Sequence, residues 1–425
     1  MIFKKSSYRN PWTFVPTLYF AEGVPYFIIN TVSLLIYKDL KISNAEITFW
    51  TSLLYLPWVI KMFWGPFIDI YSTKRNWILY TNLAMMGCLS LIALSVQMSN
   101  FFFISLCAFT VAAFISATHD IAADGFYMLA LSPEQQAFYV GIRNIFYRVA
   151  RMFTEGVLIV FAGRLATSLG NIPLSWSLAL GLTALIFGGL FLYHRLILPF
   201  PESDSQLSPK EIKETVPFVE VISSYFRQNK IAATLAFILL YRFGEALLGK
   251  MATLFFKDSL AVGGLGLSTE DVGWINLTVG VISLLMGGIL GGLIIAKYGL
   301  KKTIWPMALA LNLPNIFYVY MAYTQPEKLL VYPLVSLDQF CSGLGYTAFA
   351  VYLMYICKGE YKTSHFAIST GIMALGMMIP GLISGYIQEK LGYPGFFILV
   401  CLLAIPGMLT LFFIPLDEIE NSKAS

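Results

Sequence analysis

Polar positions along this chain come in short bursts, and the stretches between them stay apolar for about twenty residues. Crossing a hydrocarbon core takes about 20 apolar residues in a helix. Cutting the chain at its prolines, glycines and charge clusters therefore predicts twelve membrane-crossing helices. Six are expected at Trp12–Tyr37, Ile47–Ile70, Trp77–Met98, Phe101–Leu129, Phe138–Leu165 and Trp176–Leu198. The stretch Pro199–Lys230 is too charged to insert, and six more helices are expected after it. These are Ile231–Phe256, Val272–Lys297, Thr303–Tyr323, Val331–Cys357, His365–Gln388 and Pro394–Leu416. The fold class expected is an all-α polytopic membrane protein, with a six-helix bundle over residues 1–198, a central loop over 199–230 and a second bundle over 231–425.

Charge outside the spans sets their orientation. Sixteen Lys and Arg residues, from Lys4 to Lys423, fall on the side shared by both termini, against six on the other side (Lys38, Lys41, Arg164, Lys257, Lys328 and Lys390). Basic residues collect in cytoplasmic loops, so both ends are expected in the cytoplasm. MIFKKSSYRN is basic, but Pro11 and Glu22 interrupt the apolar run after it and no small-residue cleavage site is evident. An uncleaved first helix is expected rather than a signal peptide.

The two halves repeat. Ile42-Ser43-Asn44-Ala45-Glu46-Ile47 precedes the second span as Leu267-Ser268-Thr269-Glu270-Asp271-Val272 precedes the eighth. Asp69-Ile70-Tyr71 followed by Lys74-Arg75 sits where Ala296-Lys297-Tyr298 followed by Lys301-Lys302 sits, and Glu22 corresponds to Glu245. Parallel repeats of six spans joined by a central cytoplasmic loop describe the major facilitator arrangement. Gly65-Pro66-Phe67-Ile68-Asp69 followed by Lys74-Arg75 resembles that superfamily's G-x-x-x-D…(K/R)-(K/R) signature, so Gly65, Asp69, Lys74 and Arg75 are expected at a gate.

Composition narrows the chemistry. The 425 residues are 57% hydrophobic and 12% charged, with a mean hydropathy of +0.71, which fits no soluble domain. Five cysteines lie in or beside apolar segments without metal-like spacing, so neither a disulfide framework nor a metal site is expected. Three histidines, with no HExxH, GxSxG or Walker loop, leave a hydrolase or an ATP-driven pump without visible chemistry. No enzyme activity, cofactor or nucleic-acid partner is expected.

Charges inside the membrane carry the functional signal. Each costs roughly 2.5–3.5 kcal/mol at a helix centre on insertion scales, so they tend to pair around a polar pathway. The first helix bears Tyr19, Glu22, Tyr26, Asn30 and Ser33 at spacings of three or four, which makes one stripe. Asp120 and Asp124 share a face of the fourth helix, and two neighbouring carboxylates tend to hold a proton between them. The fifth helix supplies Arg143, Arg148 and Arg151, with Glu155 four residues beyond Arg151. Two readings stand side by side for this set: an ion-pair lattice that locks and unlocks, and direct contact with substrate or proton. Lys61 either snorkels to the interface or meets an anionic ligand, while Arg242 and Glu245, three apart, either neutralise each other or serve the ligand. Tyr19, Tyr26, Tyr127 and Tyr147 sit among the charges, where a ring can stack on a sugar.

Several segments together resemble the AmpG-type muropeptide permeases. Phe20-Ala21-Glu22-Gly23-Val24-Pro25 is similar to their F-A-S-G-L-P, and Lys61-Met62-Phe63-Trp64-Gly65-Pro66-Phe67-Ile68-Asp69 to K-F-L-W-S-P-L-M-D. Ser116-Ala117-Thr118-His119-Asp120-Ile121-Ala122-Ala123-Asp124-Gly125 resembles S-A-S-Q-D-I-V-F-D-A. In the second half, Cys341 to Phe349 and Ser364 to Ser369 resemble C-G-G-M-G-T-A-A-F and A-T-Q-F-A-L-L-S. The resemblance implies a proton-dependent importer of anhydro-muropeptides in the inner membrane, serving peptidoglycan recycling; a monomer is expected. It implies that Lys61, Arg148 or Arg242 meets the ligand's carboxylates, that tyrosines meet its sugars, and that Glu22, Asp120 or Asp124 carries the proton. Glu22 stands where the family has a small residue, and His119 and His365 where it has glutamines. A transporter of another anionic metabolite (an acyl-coenzyme A, a small amino sugar or a siderophore) is the alternative. A receptor without transport is a third reading.

Overall fold

A computed structural model describes residues 9–65, 68, 71–201, 204, 218–357 and 361–416. Among the described residues, helical stretches succeed one another as the hydropathy pattern predicts: α1 (Pro11–Asp39), α2 (44–63), α3 (Lys74–Ser95), α4 (Phe101–Ala130), α5 (133–169) and α6 (Ile172–Ile197). After a short helix, Phe218–Phe226, come α7 (Ile231–Lys257), α8 (Thr269–Tyr298), α9 (300–324), α10 (Lys328–Ile356), α11 (362–391) and α12 (393–409). The last two run on without a loop and are separated by Gly392, whose φ of 66° and ψ of 173° no residue with a Cβ adopts readily. Seven stretches are long and apolar enough to cross a membrane by length and composition, with α11 and α12 counted as one. α2, α5, α9 and α10 are not among them. α2 breaks at Leu54 and again over Lys61–Phe63, α5 carries the arginines, α9 breaks at Leu313-Pro314, and α10 carries Asp338.

Helix irregularities fall where polar side chains must be aimed inward. Pro25 lies inside α1, and the widened π turn Ile28–Val32 comes directly after it. Proline cannot donate to the preceding turn and its ring crowds the carbonyl four residues back, so the helix adjusts locally. α5 carries a second π turn, Met152–Leu158, and α8 a third, Asn276–Gly280. The first two meet: Thr31 Oγ1 donates to Glu155 Oε1 at 2.9 Å, so each bulge presents one partner of a buried polar contact.

The chain divides into two compact units. The first comprises Met1–Leu40 and Ile60–Thr215; the second comprises Lys41–Val59 and Val216–Ser425. The first is built on Phe14, Leu18, Ile78, Ala122, Phe126 and Leu198. In it α1 and α5 cross closely, because a Cβ on Gly23 would lie 2.8 Å from Cβ of Ala150. The second unit is built on Phe237, Tyr241, Ile304, Leu311, Phe349 and Tyr352, with Tyr241 and Phe349 stacked at 5.4 Å.

The division puts 41–59, the beginning of α2, with the second unit rather than with the 1–198 bundle expected from sequence. The reason is local packing against α11. Asn44 Nδ2 donates to Asp258 Oδ2 and Gln388 Oε1, both at 2.9 Å, and Tyr393 donates its hydroxyl to the same Asp258 oxygen at 2.5 Å. Small residues allow the approach, as is usual between membrane helices. A Cβ on Gly385 would lie 2.4 Å from both Asn44 O and Thr48 Oγ1. Gly385→Ala must therefore push 44–53 off α11. Overpacking of this kind costs roughly 1–3 kcal/mol, and a thermal melt of the purified protein checks for the corresponding fall of several degrees. An unchanged melting temperature would mean that the contact gives way at no cost.

Candidate functional site

The first unit gathers charges from four helices. α2 brings Lys61 to Asp120 of α4 as a direct ion pair, so the lysine does not snorkel away. α1 brings Glu22, a buried carboxyl close enough to Asp120 for the two to interact electrostatically. One helical turn on, Asp124 accepts from two donors: the Tyr19 hydroxyl at 3.0 Å and Nη1 of Arg143 from α5 at 3.1 Å. The Arg143 guanidinium lies over the Tyr19 ring, 4.6 Å from its centroid, and 5.5 Å from that of Tyr127. Tyr19 and Tyr127 meet edge to face, and the Tyr127 hydroxyl is spent on the Gln136 carbonyl at 2.5 Å. Glu22 is buried, whereas Asp124 keeps 40% of its side-chain surface exposed. The cluster thus has a buried end, Glu22 with Asp120, and an open end, Asp124 with Arg143.

Two aspartates four apart were expected to share one proton. Each aspartate also has its own cation, Lys61 for Asp120 and Arg143 for Asp124, and Glu22 is a third carboxyl close to Asp120. The reason is reach: Lys61 and Arg143 approach the α4 face from opposite neighbours, and Glu22 projects from α1 toward the same face. His119 has its Nδ1 2.8 Å from Thr81 Oγ1 on α3.

A second group lies along α1 and α5. Arg151 Nε donates to Glu155 Oε2 at 2.7 Å, and the guanidinium lies 5.8 Å from the Phe27 ring centroid. Tyr26 and Tyr147 face one another with ring centroids 6.2 Å apart, and both are half-buried, as is Arg148. Spacing alone gave the Arg151 and Glu155 pair. The Thr31 contact that completes it was missed, because it depends on the two π turns.

The expected gate residues divide. Asp69 lies outside the described residues. Gly65 is half-buried, and a Cβ there would meet nothing within 4 Å. At the start of α3 the backbone N–H groups of Lys74 and Arg75 donate to the two carboxylate oxygens of Asp204, at 2.7 and 3.0 Å. An anion there satisfies orphan donors and the helix dipole together. Arg75 in turn donates to the carbonyls of Arg195 and Leu198 at the end of α6. Lys74 packs its aliphatic chain on α4, where a Cβ on Gly125 would lie 2.7 Å from its Cε. Asp204 had no motif to announce it: it sits in a polar stretch 130 residues from its partner.

Helical architecture of this kind, with a charged cluster inside the membrane spans, has a match among known families. The model of the Major Facilitator Superfamily matches residues 17–355, which is most of the chain. The chain belongs to the Major Facilitator Superfamily. Among its relatives, an uncharacterized protein of Haemophilus influenzae is 26% identical over 421 residues, covering 96% of this chain and 95% of the relative. The anhydromuropeptide permease of Escherichia coli K12 is 24% identical over 397 residues, covering 92% of this chain and 77% of the permease. Among solved structures, a D-xylose-proton symporter superposes with a TM-score of 0.72 at 12% identity, covering 95% of this chain and 97% of the symporter. That likeness is one of fold.

The facilitator's second unit holds its own charges. Arg242, at the break in α7, grips Glu245 with two bonds, Nε to Oε2 at 2.7 Å and Nη2 to Oε1 at 2.8 Å, and lies 4.8 Å from the Tyr346 ring centroid. Asp338 is buried in α10, where it accepts from Tyr318 at 3.2 Å and Gln339 at 3.1 Å. The helix Phe218–Phe226, within the expected loop, docks on α11 through Ser224 and His365 at 2.9 Å and Tyr225 and Ser369 at 2.8 Å.

Proposed function

We propose that this membrane transporter imports anhydro-muropeptides by proton symport across an inner membrane, with both termini cytoplasmic, for peptidoglycan recycling. The observation that carries the reading is the cluster of Glu22, Asp120 and Asp124 with Lys61 and Arg143, three carboxyls against two cations inside the first unit. The name of the E. coli relative supports the ligand class, and the family supports alternating access by analogy of fold.

On this reading Asp124, at the open end of the cluster, takes up a proton from water. Neutralised, it frees Arg143 to meet a carboxylate of the ligand. Two neighbouring buried carboxyls tend to hold a proton between them, so Glu22 and Asp120 act as the buried store. Tyr19, Tyr26, Tyr127 and Tyr147 offer ring faces to the disaccharide, and Lys61, Arg148 and Arg242 offer charge to the peptide and lactyl ends, with Glu245 holding Arg242. Gly65, Asp69, Lys74, Arg75, Arg151 and Glu155 belong to the opening and closing of the path. The protein works as a monomer with no cofactor.

The test is uptake of radiolabelled N-acetylglucosamine-anhydro-N-acetylmuramyl tripeptide into proteoliposomes, with and without an imposed inward proton gradient. Accumulation that a protonophore collapses is the expected result. Absence of uptake by folded protein would overturn the ligand and redirect the search to coenzyme A esters and small amino sugars.

A further inference from the structure

Muropeptide import, as drawn above, assigns the ligand's carboxylates to cations and its sugars to rings. A peptide whose last residue bears a side-chain amine also brings an ammonium, which has no partner in that scheme. The second unit holds a buried acid without a cation. Asp338 of α10 is 3% exposed, and among the described residues no Lys, Arg or His forms an ion pair with it. A buried charge left unpaired is costly, and an acid inside a span marks a ligand path by default.

The surroundings of Asp338 are built around one open oxygen. Its two donors, the Tyr318 hydroxyl and Gln339 Nε2, both bond Oδ2, at 3.2 and 3.1 Å, and Oδ1 has no partner among the described residues. The Tyr318 ring packs on Phe256 and Phe397, with centroids 6.2 and 5.4 Å away, which fixes its hydroxyl in place. Along α10, buried Ser342 follows Asp338 by one turn and exposed Tyr346 by two, with the Arg242 guanidinium 4.8 Å from the Tyr346 ring centroid. One face of α10 therefore leads from Arg242 and Tyr346 to Asp338 over about 12 Å of helix. A tripeptide with a long last side chain covers that length, so one ligand can place a carboxylate at Arg242 and an ammonium at Asp338.

Charge and ligand number select the occupant. Glu245 is close enough to Asp338 to interact electrostatically, so an anion is repelled there. A metal cation such as calcium needs six or more oxygen ligands, and among the described residues no group of three or more His, Cys, Asp or Glu could hold one. An ammonium is a compact cation with three donors, which one carboxylate and its neighbours can satisfy.

We propose that Asp338, held by Tyr318 and backed by Glu245, forms an ammonium-binding subsite of the second unit that takes the side-chain amine of the ligand's peptide. The proposal rests on the muropeptide reading for the ligand's scaffold, not for the chemistry of the subsite.

The experiment compares wild type, Asp338→Asn and Asp338→Glu in proteoliposomes, using the disaccharide tripeptide that ends in lysine and the same compound with the lysine amine acetylated. Wild type is expected to have the lower KM for the free amine. Asp338→Asn is expected to raise that KM roughly 10- to 100-fold, the range of one lost bond between charged groups, and to leave the acetylated compound unchanged. Asp338→Glu is expected to recover part of the loss. Unchanged handling of the acetylated compound shows that the variant is folded. An equal change for both compounds, as a proton held at Asp338 or a structural role would give, overturns the subsite while leaving muropeptide import standing, and so does no change for either. If wild type moves neither compound, the import reading fails, and the subsite is judged by a thermal shift of purified protein with Nα-acetyl-L-lysine amide and its Nε-acetylated form. Stabilisation by the free amine alone, lost in Asp338→Asn, upholds it; no such difference overturns it.

Discussion

Lys61→Met is expected to lower uptake by a factor on the order of 100 and to destabilise the protein, and adding Asp120→Asn is expected to restore the stability without the transport. The single substitution leaves Asp120 beside Glu22 with its paired cation gone, so the repulsion between the two carboxyls is no longer offset by Lys61. Removing one partner of a buried ion pair costs roughly 3–5 kcal/mol when the site is dry. Here the cost is smaller, because Lys61 keeps 36% of its side-chain surface exposed against 16% for Asp120, and water screens the orphaned charge. Asp120→Asn removes that charge while keeping the size and shape of the side chain. Melting temperatures of the four proteins close a double-mutant cycle, and uptake is read on the same samples. Were Lys61→Met to transport like wild type, the pair would be a packing feature and the cluster would lose its proposed role.

Which contacts are legible in the sequence depends on how far apart in the chain the partners are. Arg151 with Glu155 and Arg242 with Glu245 were legible, because spacings of four and three on a helix bring side chains together whatever the fold does. That Asp120 and Asp124 share a face was legible for the same reason. Their partners were not. Lys61 is 59 positions from Asp120, Tyr19 is 105 from Asp124, and only packing of α1, α2, α4 and α5 decides which cation reaches which acid. The hydropathy pattern gave the helices but not the π turns that aim Thr31 at Glu155, since a bulge of one residue leaves the apolar run unchanged. The parallel repeat gave the two-fold organisation, yet 41–59 packs with the second unit, because Gly381 and Gly385 open a track for it on α11 that no periodicity encodes.

Irregular backbone and buried charge coincide in the first unit for a physical reason. A straight α1 would carry Tyr19, Glu22, Tyr26, Asn30 and Ser33 as one fixed stripe. With Pro25 and the π turn after it, α1 meets α4 through Tyr19 and Glu22 and α5 through Tyr26 and, from outside the stripe, Thr31. Bulges of this kind are frequent at functional sites.

Asp124→Asn is expected to abolish accumulation against a gradient while exchange of ligand across the membrane survives within about tenfold of wild type. The amide matches the carboxylate in size, and its oxygen still accepts from the Tyr19 hydroxyl and from Arg143, so the geometry around it is kept. What it loses is the ability to bind and release a proton. For one proton per ligand, an inward gradient of two pH units sustains roughly 100-fold accumulation, since each unit is worth 1.36 kcal/mol. Without a titratable group at the open end, that ratio falls to about one, however well the ligand binds. The amide also leaves Arg143 with its charge uncompensated. The penalty is moderate, because 28% of that side chain is exposed, and Asp124→Asn with Arg143→Gln separates the loss of coupling from the loss of charge balance. Counterflow and gradient-driven uptake measured on one preparation decide the matter. Intact exchange with no accumulation, in both the single and the double variant, assigns the coupling proton to Asp124. Wild-type accumulation by Asp124→Asn removes it from the proton path and leaves Glu22 with Asp120, the buried pair, as the group to test.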